Sequence, residues 1–139
     1  MTVKFQSENF EVGNILENFS IKNCESGSII SFLGKVRKYS GKNKIKSMDI
    51  EFYEKMADYQ TKLALDQLLK EFKIQDFLII HRYGNLKPGE NIILIIVASE
   101  HRKDGLEFIQ KILIFFKKKI TFWKKENFKE FSKWVREQD

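Results

Sequence analysis

The sequence feature that most constrains the fold is a run of seven aliphatic residues, Ile92 to Ala98. A membrane-spanning helix needs about 20 apolar residues, so this run is too short to cross a bilayer and is interpreted as a buried strand, Ile92 to Ser99. Phe77 to Arg82 is a second predicted strand. A turn, Gly84 to Glu90, holds the only proline and lies between them. The pattern predicts an antiparallel hairpin.

Three segments have the apolar spacing of helices. Glu54 to Lys73 contains no glycine or proline and carries apolar residues at helical intervals, which predicts a helix of about five turns. Asp104 is a candidate N-cap for a second long helix that ends near Lys118, and Asn9 for a shorter one from Phe10 to Phe19. The expected main buried stripe of the second long helix is Leu106, Ile109, Leu113 and Phe116.

The remaining segments are strands and loops. Strands are predicted at Val3 to Gln6, at Ser28 to Arg37 with a bulge or close approach at Gly34, and at Ile45 to Tyr53. Lys38 to Lys44 is expected to be a mobile loop, and Ile120 to Trp123 to be extended. The resulting order, β-α-β-β-α-β-β-α-β with mostly hairpin-like pairings, favours an α+β fold with a mainly antiparallel sheet. A chain of 139 residues fits one domain, residues 1–139.

Positive charge is concentrated near the C-terminus. The chain carries a formal net charge of +6, and five lysines fall between Lys117 and Lys125 with Phe122 and Trp123 between the two groups. Clustered ammonium groups repel each other and need either solvent or an anionic partner. The two aromatics suggest that this segment is held against a core. We therefore interpret it as the floor of an anion-binding active site.

Several common site chemistries are not supported by the sequence. A single cysteine, Cys24, excludes an internal disulfide and fits a reducing cytoplasm. His81 and His101 lack neighbours arranged as zinc ligands, so no metal site is predicted. There is no phosphate-binding glycine-rich loop, and the N-terminus has no apolar signal core. No cofactor and no membrane association are expected.

Two His-Arg pairs lie at the ends of apolar strands, where a sheet can present polar groups to a site. For His81-Arg82, a partly buried strand histidine beside a solvated arginine is the favoured interpretation. For His101-Arg102, which precedes the helix leading into the lysine cluster, a functional role is favoured. Arg37 is suited to bidentate binding of phosphate or carboxylate, although a solvated loop arginine explains it equally well.

Five short motifs together resemble a known family. They are Phe-Leu-Gly-Lys-Val-Arg (32–37), Glu-Phe-Tyr-Glu-Lys-Met-Ala (51–57), His-Arg-Tyr-Gly-Asn-Leu-Lys-Pro-Gly-Glu (81–90), Ser-Glu-His-Arg (99–102) and Phe-Trp-Lys-Lys-Glu (122–126). In this order and spacing, from about residue 3 to Val135, the chain resembles the large, catalytic subunit of molybdopterin synthase. The resemblance implies a single catalytic domain with an α/β-hammerhead fold.

The resemblance also implies an activity and its partners. The family converts cyclic pyranopterin monophosphate to molybdopterin by installing two dithiolene sulfurs. The sulfur arrives as a thiocarboxylate on the C-terminal Gly-Gly of a small ubiquitin-like subunit, whose tail enters the large subunit. Two large subunits form a central dimer within a heterotetramer. The implied protein is therefore a sulfurtransferase of molybdenum cofactor biosynthesis.

Site residues follow from the matching motifs. Lys117 and Lys124 match the two lysines to which catalysis is assigned. Substrate-pocket positions match the following residues: Lys35, Val36, Arg37, His101, Arg102, Lys125 and Glu126. On family grounds we expect the pocket to be shared across the dimer.

The chain departs from the family at three places. Thr121 stands where a proline is usual, Ile114 where an acid is usual, and Lys103-Asp104-Gly105 where small residues are usual. These differences bear on local backbone geometry more than on chemistry.

Two alternative functions stay open. The first is a non-enzymatic basic module that binds nucleic acid through the same lysines, with Phe122, Trp123 and Trp134 as stacking surfaces. The second is a purely structural partner-binding domain, in which Lys117 and Lys124 would be replaceable.

Overall fold

The computed structural model describes residues 1–119 and 122–135. Its elements, in chain order, are β1 (Thr2–Gln6), α1 (Val12–Lys22), β2 (Ser28–Lys35), β3 (Tyr39–Ser40), β4 (Asn43–Lys44), β5 (Ser47–Phe52), α2 (Glu54–Glu71), β6 (Ile74–Arg82), β7 (Gly84–Leu86), β8 (Asn91–Ser99), α3 (Arg102–Lys118), β9 (Phe122–Asn127) and β10 (Ser132–Trp134). The predicted α+β class with two long helices is confirmed. Of the segment predicted as extended, 120–123, the first two residues lie outside the described residues.

Two four-stranded sheets form the frame, with strand orders β1-β6-β8-β2 and β10-β9-β5-β7. Every pairing within them is antiparallel except β1 with β6. The predicted hairpin is confirmed, since β6 pairs antiparallel with β8. The predicted bulge also lies where expected, because the register of β2 on β8 shifts between Gly34 and Lys35.

The first sheet is covered on both faces, which explains the continuous apolar run of β8. Ile93, Ile95 and Val97 pack into a core shared with α2, α3 and the second sheet. The alternate residues, Leu94, Ile96 and Ala98, pack with Phe10 and Phe19 on the other face, where α1 lies. Successive strand residues point to opposite faces, so a strand buried on both sides must be apolar throughout.

Helix starts and loops differ from the sequence expectations. The N-cap of α1 is Glu11 and not Asn9, whose Oδ1 instead accepts a hydrogen bond from Asn91 at 3.2 Å. The N-cap of α3 is His101, so Asp104 lies inside the first turn. Lys38–Lys44 contains the β3–β4 hairpin, and the predicted turn at Gly84 begins with a strand, β7, paired with β5.

The buried stripes of both long helices are also shifted from the predicted ones. In α2 the apolar residues at helical spacing include Met56, Ala57 and Leu63. Ala57 is buried as this spacing predicts, whereas Met56 and Leu63 are half exposed, and Thr61 and Leu65 are buried with Ala57. On α3, Leu106 is half exposed, whereas Phe108 and Ile112 are buried with the correctly predicted Ile109 and Phe116.

Gly105 is the point at which α3 meets the first sheet. A Cβ on this residue would lie 2.9 Å from both Ile30 Cδ1 and Ser99 Oγ. The Ser99 hydroxyl cannot move freely, because it is fully buried and donates a hydrogen bond to the His101 carbonyl oxygen at 2.7 Å. Close contact at Gly105 therefore selects the face of α3 that becomes buried.

Replacing Gly105 by alanine is expected to destabilise the fold by about 1–2 kcal/mol, because overpacking outweighs the gain in helix propensity. Gly13 is the matched control in α1, since nothing lies within 4 Å of a Cβ placed there. Gly13→Ala is expected to stabilise the protein by about 0.5 kcal/mol. Chemical denaturation of both variants measures these changes, and equal effects at the two glycines would contradict the assigned contact.

Candidate functional site

A cavity of about 630 Å³ lies between the end of α3, strand β9 and the edge formed by β2 and β8. This volume is within the range of small-molecule sites. Its polar side chains are almost all cationic: Lys35, Arg37, Lys117, Lys118 and Lys124, together with His81. Its apolar side chains are Phe32, Met48, Ile92, Ile93, Leu113, Phe116, Phe122 and Val135. A cavity of this kind can bind anions attached to a flat apolar group.

Strand β9 directs Lys124 into the cavity, because successive side chains of a strand point to opposite faces. Phe122, Lys124 and Glu126 share one face of the strand, and the first two line the cavity. Trp123 and Lys125 occupy the other face, where the Lys125 ammonium lies 3.8 Å from Asp49 Oδ2 and 5.5 Å from the Trp134 ring centroid. The structure therefore places Lys125 outside the cavity that contains Lys124.

Lys117 comes from the last turn of α3. It lies one turn after Leu113 on the same helix face, and both line the cavity. The neighbouring Phe116 is buried and anchors this end of the helix. Lys118 also lines the cavity.

Burial is the main cause of a lowered pKa at Lys124, and the positive charge of Lys117 lowers it further. A charged ammonium is disfavoured when water is removed and when a second cation is near. The two lysines are thus close enough to interact electrostatically. A lysine with a lowered pKa is suited to proton transfer near neutral pH.

The end of β2 places Lys35 and Arg37 on the cavity side. Val36, between them, is buried and its backbone is fixed by two hydrogen bonds, from Val36 N to Glu90 O at 2.9 Å and from Gly89 N to Val36 O at 2.8 Å. Strand alternation then directs both cations the opposite way, into the cavity.

Glu126 binds the Arg37 side chain without lining the cavity itself. Its buried carboxylate accepts a hydrogen bond from Arg37 Nη2 at 3.3 Å through Oε1. Oε2 has no hydrogen-bond partner among the residues that the structure describes. Glu126 is not among the residues that line the cavity, so its contact with the site runs through Arg37.

His101 and Arg102 lie away from this cavity. Both are exposed, and they begin α3, whereas Lys117 lies at its other end. Arg102 and Lys118 are the first and last of the 17 residues of α3, a separation of about 24 Å. An arginine side chain cannot span that distance, so one copy of the chain does not bring His101 and Arg102 together with the two lysines.

For His81-Arg82, the sequence favoured a partly buried strand histidine beside a solvated arginine. The arginine part is wrong, since Arg82 is buried and donates hydrogen bonds to the carbonyl oxygens of Ser7 and Asn91. His81 also has more than the expected structural place, because it is a cavity residue. It is buried, its ring stacks on Phe122 at 4.0 Å between centroids, and it lines the cavity. Burial lowers its pKa to about 3, the charge of Lys124 adds to this effect, and the hydrogen bond to the Arg82 carbonyl opposes it. Its place at the end of a buried strand was the available signal.

Two further findings concern metal ions and membranes. In residues 1–119 and 122–135, no three His, Cys, Asp or Glu side chains are grouped as a metal site requires. No helix within the same ranges is both long and apolar enough to cross a membrane.

The fold and the cavity define an α+β protein with a cavity lined by cationic side chains. Among solved structures, the chain superposes on molybdopterin synthase from Staphylococcus aureus with a TM-score of 0.84 and 28% identity, over 95% of each chain. A family model described as MoaE protein matches residues 5–119. The chain therefore belongs to the MoaE family, as the motif resemblance implied.

Two curated relatives indicate how far the similarity extends. The molybdopterin synthase catalytic subunit of Pyrococcus abyssi is 35% identical over 115 residues, which cover 83% of this chain and 78% of the relative. The protein of the same name from Brucella melitensis is 31% identical over 127 residues, covering 91% and 77%. The nucleic-acid alternative gains no support from these relatives.

Proposed function

We propose that this chain is the catalytic subunit of a molybdopterin synthase, a sulfurtransferase that converts cyclic pyranopterin monophosphate to molybdopterin. The observation that carries the proposal is the convergence of Lys117 from α3 and Lys124 from β9 on one cation-lined cavity, in a chain of the MoaE family. We infer that residues 1–139 act as one catalytic domain. We also infer a cytoplasmic location, because the single cysteine, Cys24, is exposed and unpaired, as is usual in a reducing compartment.

The charge of the cavity matches the two anions of this reaction. The substrate carries a phosphate, and the tail of the small ubiquitin-like subunit brings a C-terminal thiocarboxylate. Within the described residues, five cationic side chains line the cavity, and the carboxylate of Glu126 is paired with Arg37. Fixed positive groups in a partly dehydrated site attract both anions and stabilise negative charge that develops as the sulfur attacks the pterin.

We assign the two lysines to the reacting centre and the neighbouring residues to binding and support. Lys117 and Lys124 are the proposed catalytic residues, and the lowered pKa of Lys124 supports a role in proton transfer. Lys35 and Arg37 bind the phosphorylated substrate, Val36 holds them in place, and Glu126 orients Arg37. Lys125 supports β9 from its outer face through Asp49.

A second copy of the chain completes the proposed site. His101 and Arg102 are candidate substrate-binding residues, yet the length of α3 separates them from Lys117 within one chain. A homodimer that places the start of α3 from one copy beside the cavity of the other would bring them together. This arrangement agrees with the central dimer, flanked by small subunits in a heterotetramer, that the motif resemblance implies.

Mixing the protein with thiocarboxylated small subunit and cyclic pyranopterin monophosphate tests the proposal, and dithiolene product is expected. Lys117→Ala should lower the rate at least about 100-fold, since it removes a fixed charge from the reacting centre. Lys119→Ala is the matched control, because Lys119 is exposed at the helix end and is not among the cavity-lining residues. It should keep nearly the full rate. Failure of the wild-type protein to form product would refute the function.

A further inference from the structure

His81 occupies a distinctive place in the cavity wall. It lies on the α3-facing side of β6, among Phe5, Phe116 and Phe122, with ring centroids 6.3, 5.9 and 4.0 Å away. Phe116 directly precedes Lys117, and Phe122 is two residues before Lys124 on the same strand face. The imidazole therefore packs against the two phenylalanines that lie close to the proposed catalytic lysines in the chain.

The hydrogen bonds of the ring define its free nitrogen. Nδ1 lies 2.8 Å from the Arg82 carbonyl oxygen, which can only accept a hydrogen bond, so Nδ1 carries the proton. The ring is neutral, since burial and the charge of Lys124 lower its pKa to about 3. Nε2 then has a free lone pair and makes no hydrogen bond within the described ranges.

The lone pair of Nε2 gives the cavity a hydrogen-bond acceptor among side chains that are otherwise donors. The other polar side chains that line it are lysines and an arginine, which in their charged forms donate hydrogen bonds and accept none. The phosphate and thiocarboxylate of the proposed reaction are acceptors and suit those cations. A pterin ring also carries N–H groups, and buried donors of this kind need an acceptor.

Packing alone does not explain an imidazole at this position. A phenylalanine would fill the same aromatic surroundings without burying polar nitrogens, whose burial is unfavourable unless they are hydrogen-bonded. The Arg82 carbonyl satisfies only one of the two nitrogens. The other nitrogen, Nε2, makes no hydrogen bond within the described residues, and it belongs to a residue that lines the cavity.

We propose that His81 is a specificity-determining residue whose Nε2 accepts a hydrogen bond from an N–H group of the bound pterin ring. The inference rests on the proposed function and deepens it, because it separates recognition of the heterocycle from recognition of the anions. The lysines and Arg37 bind the charged groups, and His81 distinguishes a ring that carries N–H donors from other phosphorylated compounds.

Steady-state kinetics of His81→Phe and His81→Gln test this role. His81→Phe keeps an aromatic ring beside Phe122 but removes the acceptor, so KM for the pterin substrate should rise about 10- to 100-fold with kcat little changed. Inhibition by inorganic phosphate should stay within about twofold of wild type, because the cations are intact. His81→Gln restores an acceptor and should recover most of the loss in KM.

Phe5→Leu is the packing control, since Phe5 contacts the His81 ring but is not among the cavity-lining residues. It should lower the melting temperature and leave KM unchanged. If His81→Phe does not fold, His81→Leu replaces it as the variant without an acceptor.

Three results would overturn the role of His81: an unchanged KM in the acceptor-free variant, an equal loss of phosphate inhibition, or no recovery in His81→Gln. If the wild-type protein turns over and any of these results is found, the role of His81 is refuted but the proposed function is not. If the wild-type protein does not turn over, the proposed function and the role of His81 are both refuted.

Discussion

Replacing Lys124 by methionine is expected to abolish sulfur transfer and at the same time raise the melting temperature. Lys124 is a partly buried ammonium whose pKa is lowered by burial and by Lys117, so its charge is a cost to the folded state. Methionine has a similar length and fills irregular apolar space. We expect stability to rise by about 1–2 kcal/mol, or about 3–8 °C, with turnover reduced at least about 100-fold.

The pH dependence of this difference has a definite sign. The pKa of Lys124 is lower in the folded than in the unfolded chain, so between the two values the unfolded chain binds more protons. Stability of the wild-type protein therefore gains from this residue as the pH rises through that interval. The advantage of Lys124→Met should be fully present below the lowered pKa and shrink as the pH approaches the ordinary lysine value of 10.5.

Thermal denaturation across pH, together with turnover, checks both parts of this expectation. Lys111→Met is the control, because Lys111 is exposed on α3 and should change neither quantity. A Lys124→Met protein that melts below wild type, or that keeps its activity, would contradict the assignment of Lys124 as a destabilising catalytic residue.

The sequence was sufficient for those parts of the fold that depend on local pattern. The apolar run of β8, its hairpin with β6 and the two long helices follow from periodicity and are confirmed. Cap residues were less predictable, since α1 and α3 begin without a side-chain cap hydrogen bond. The buried face of α3 depends on close contact at Gly105 with Ile30 and Ser99, which are distant in sequence and invisible to a helical pattern.

The candidate site was predictable in its charges but not in its geometry. The lysine cluster indicated an anion site, and the structure brings Lys117, Lys124, Lys35 and Arg37 to one cavity. The predicted helix from Asp104 to near Lys118 already separates Arg102 from Lys117 by its length, but the position of the cavity at the Lys117 end emerged only with the fold. The cavity position of His81 depends on tertiary packing with Phe116 and Phe122, and no local pattern encodes it.

The second large effect concerns activity restored by mixing two inactive variants. If one site combines Lys117 of one copy with Arg102 of another, Lys117→Ala and Arg102→Ala should each disable every site in their own dimers. A mixed dimer has one site with both defects and one site with neither. It is therefore expected to regain activity even though each parent variant has almost none.

This mixed dimer gives the most direct test of the central claim that a cavity and the start of a second copy's α3 together form the sulfur-transfer site. The two variants are co-expressed with different tags, the mixed dimers are isolated through both tags, and dithiolene formation is measured with thiocarboxylated small subunit. About half of the wild-type rate is expected, because one of the two sites is intact. A rate no higher than that of the separate variants would contradict the central claim.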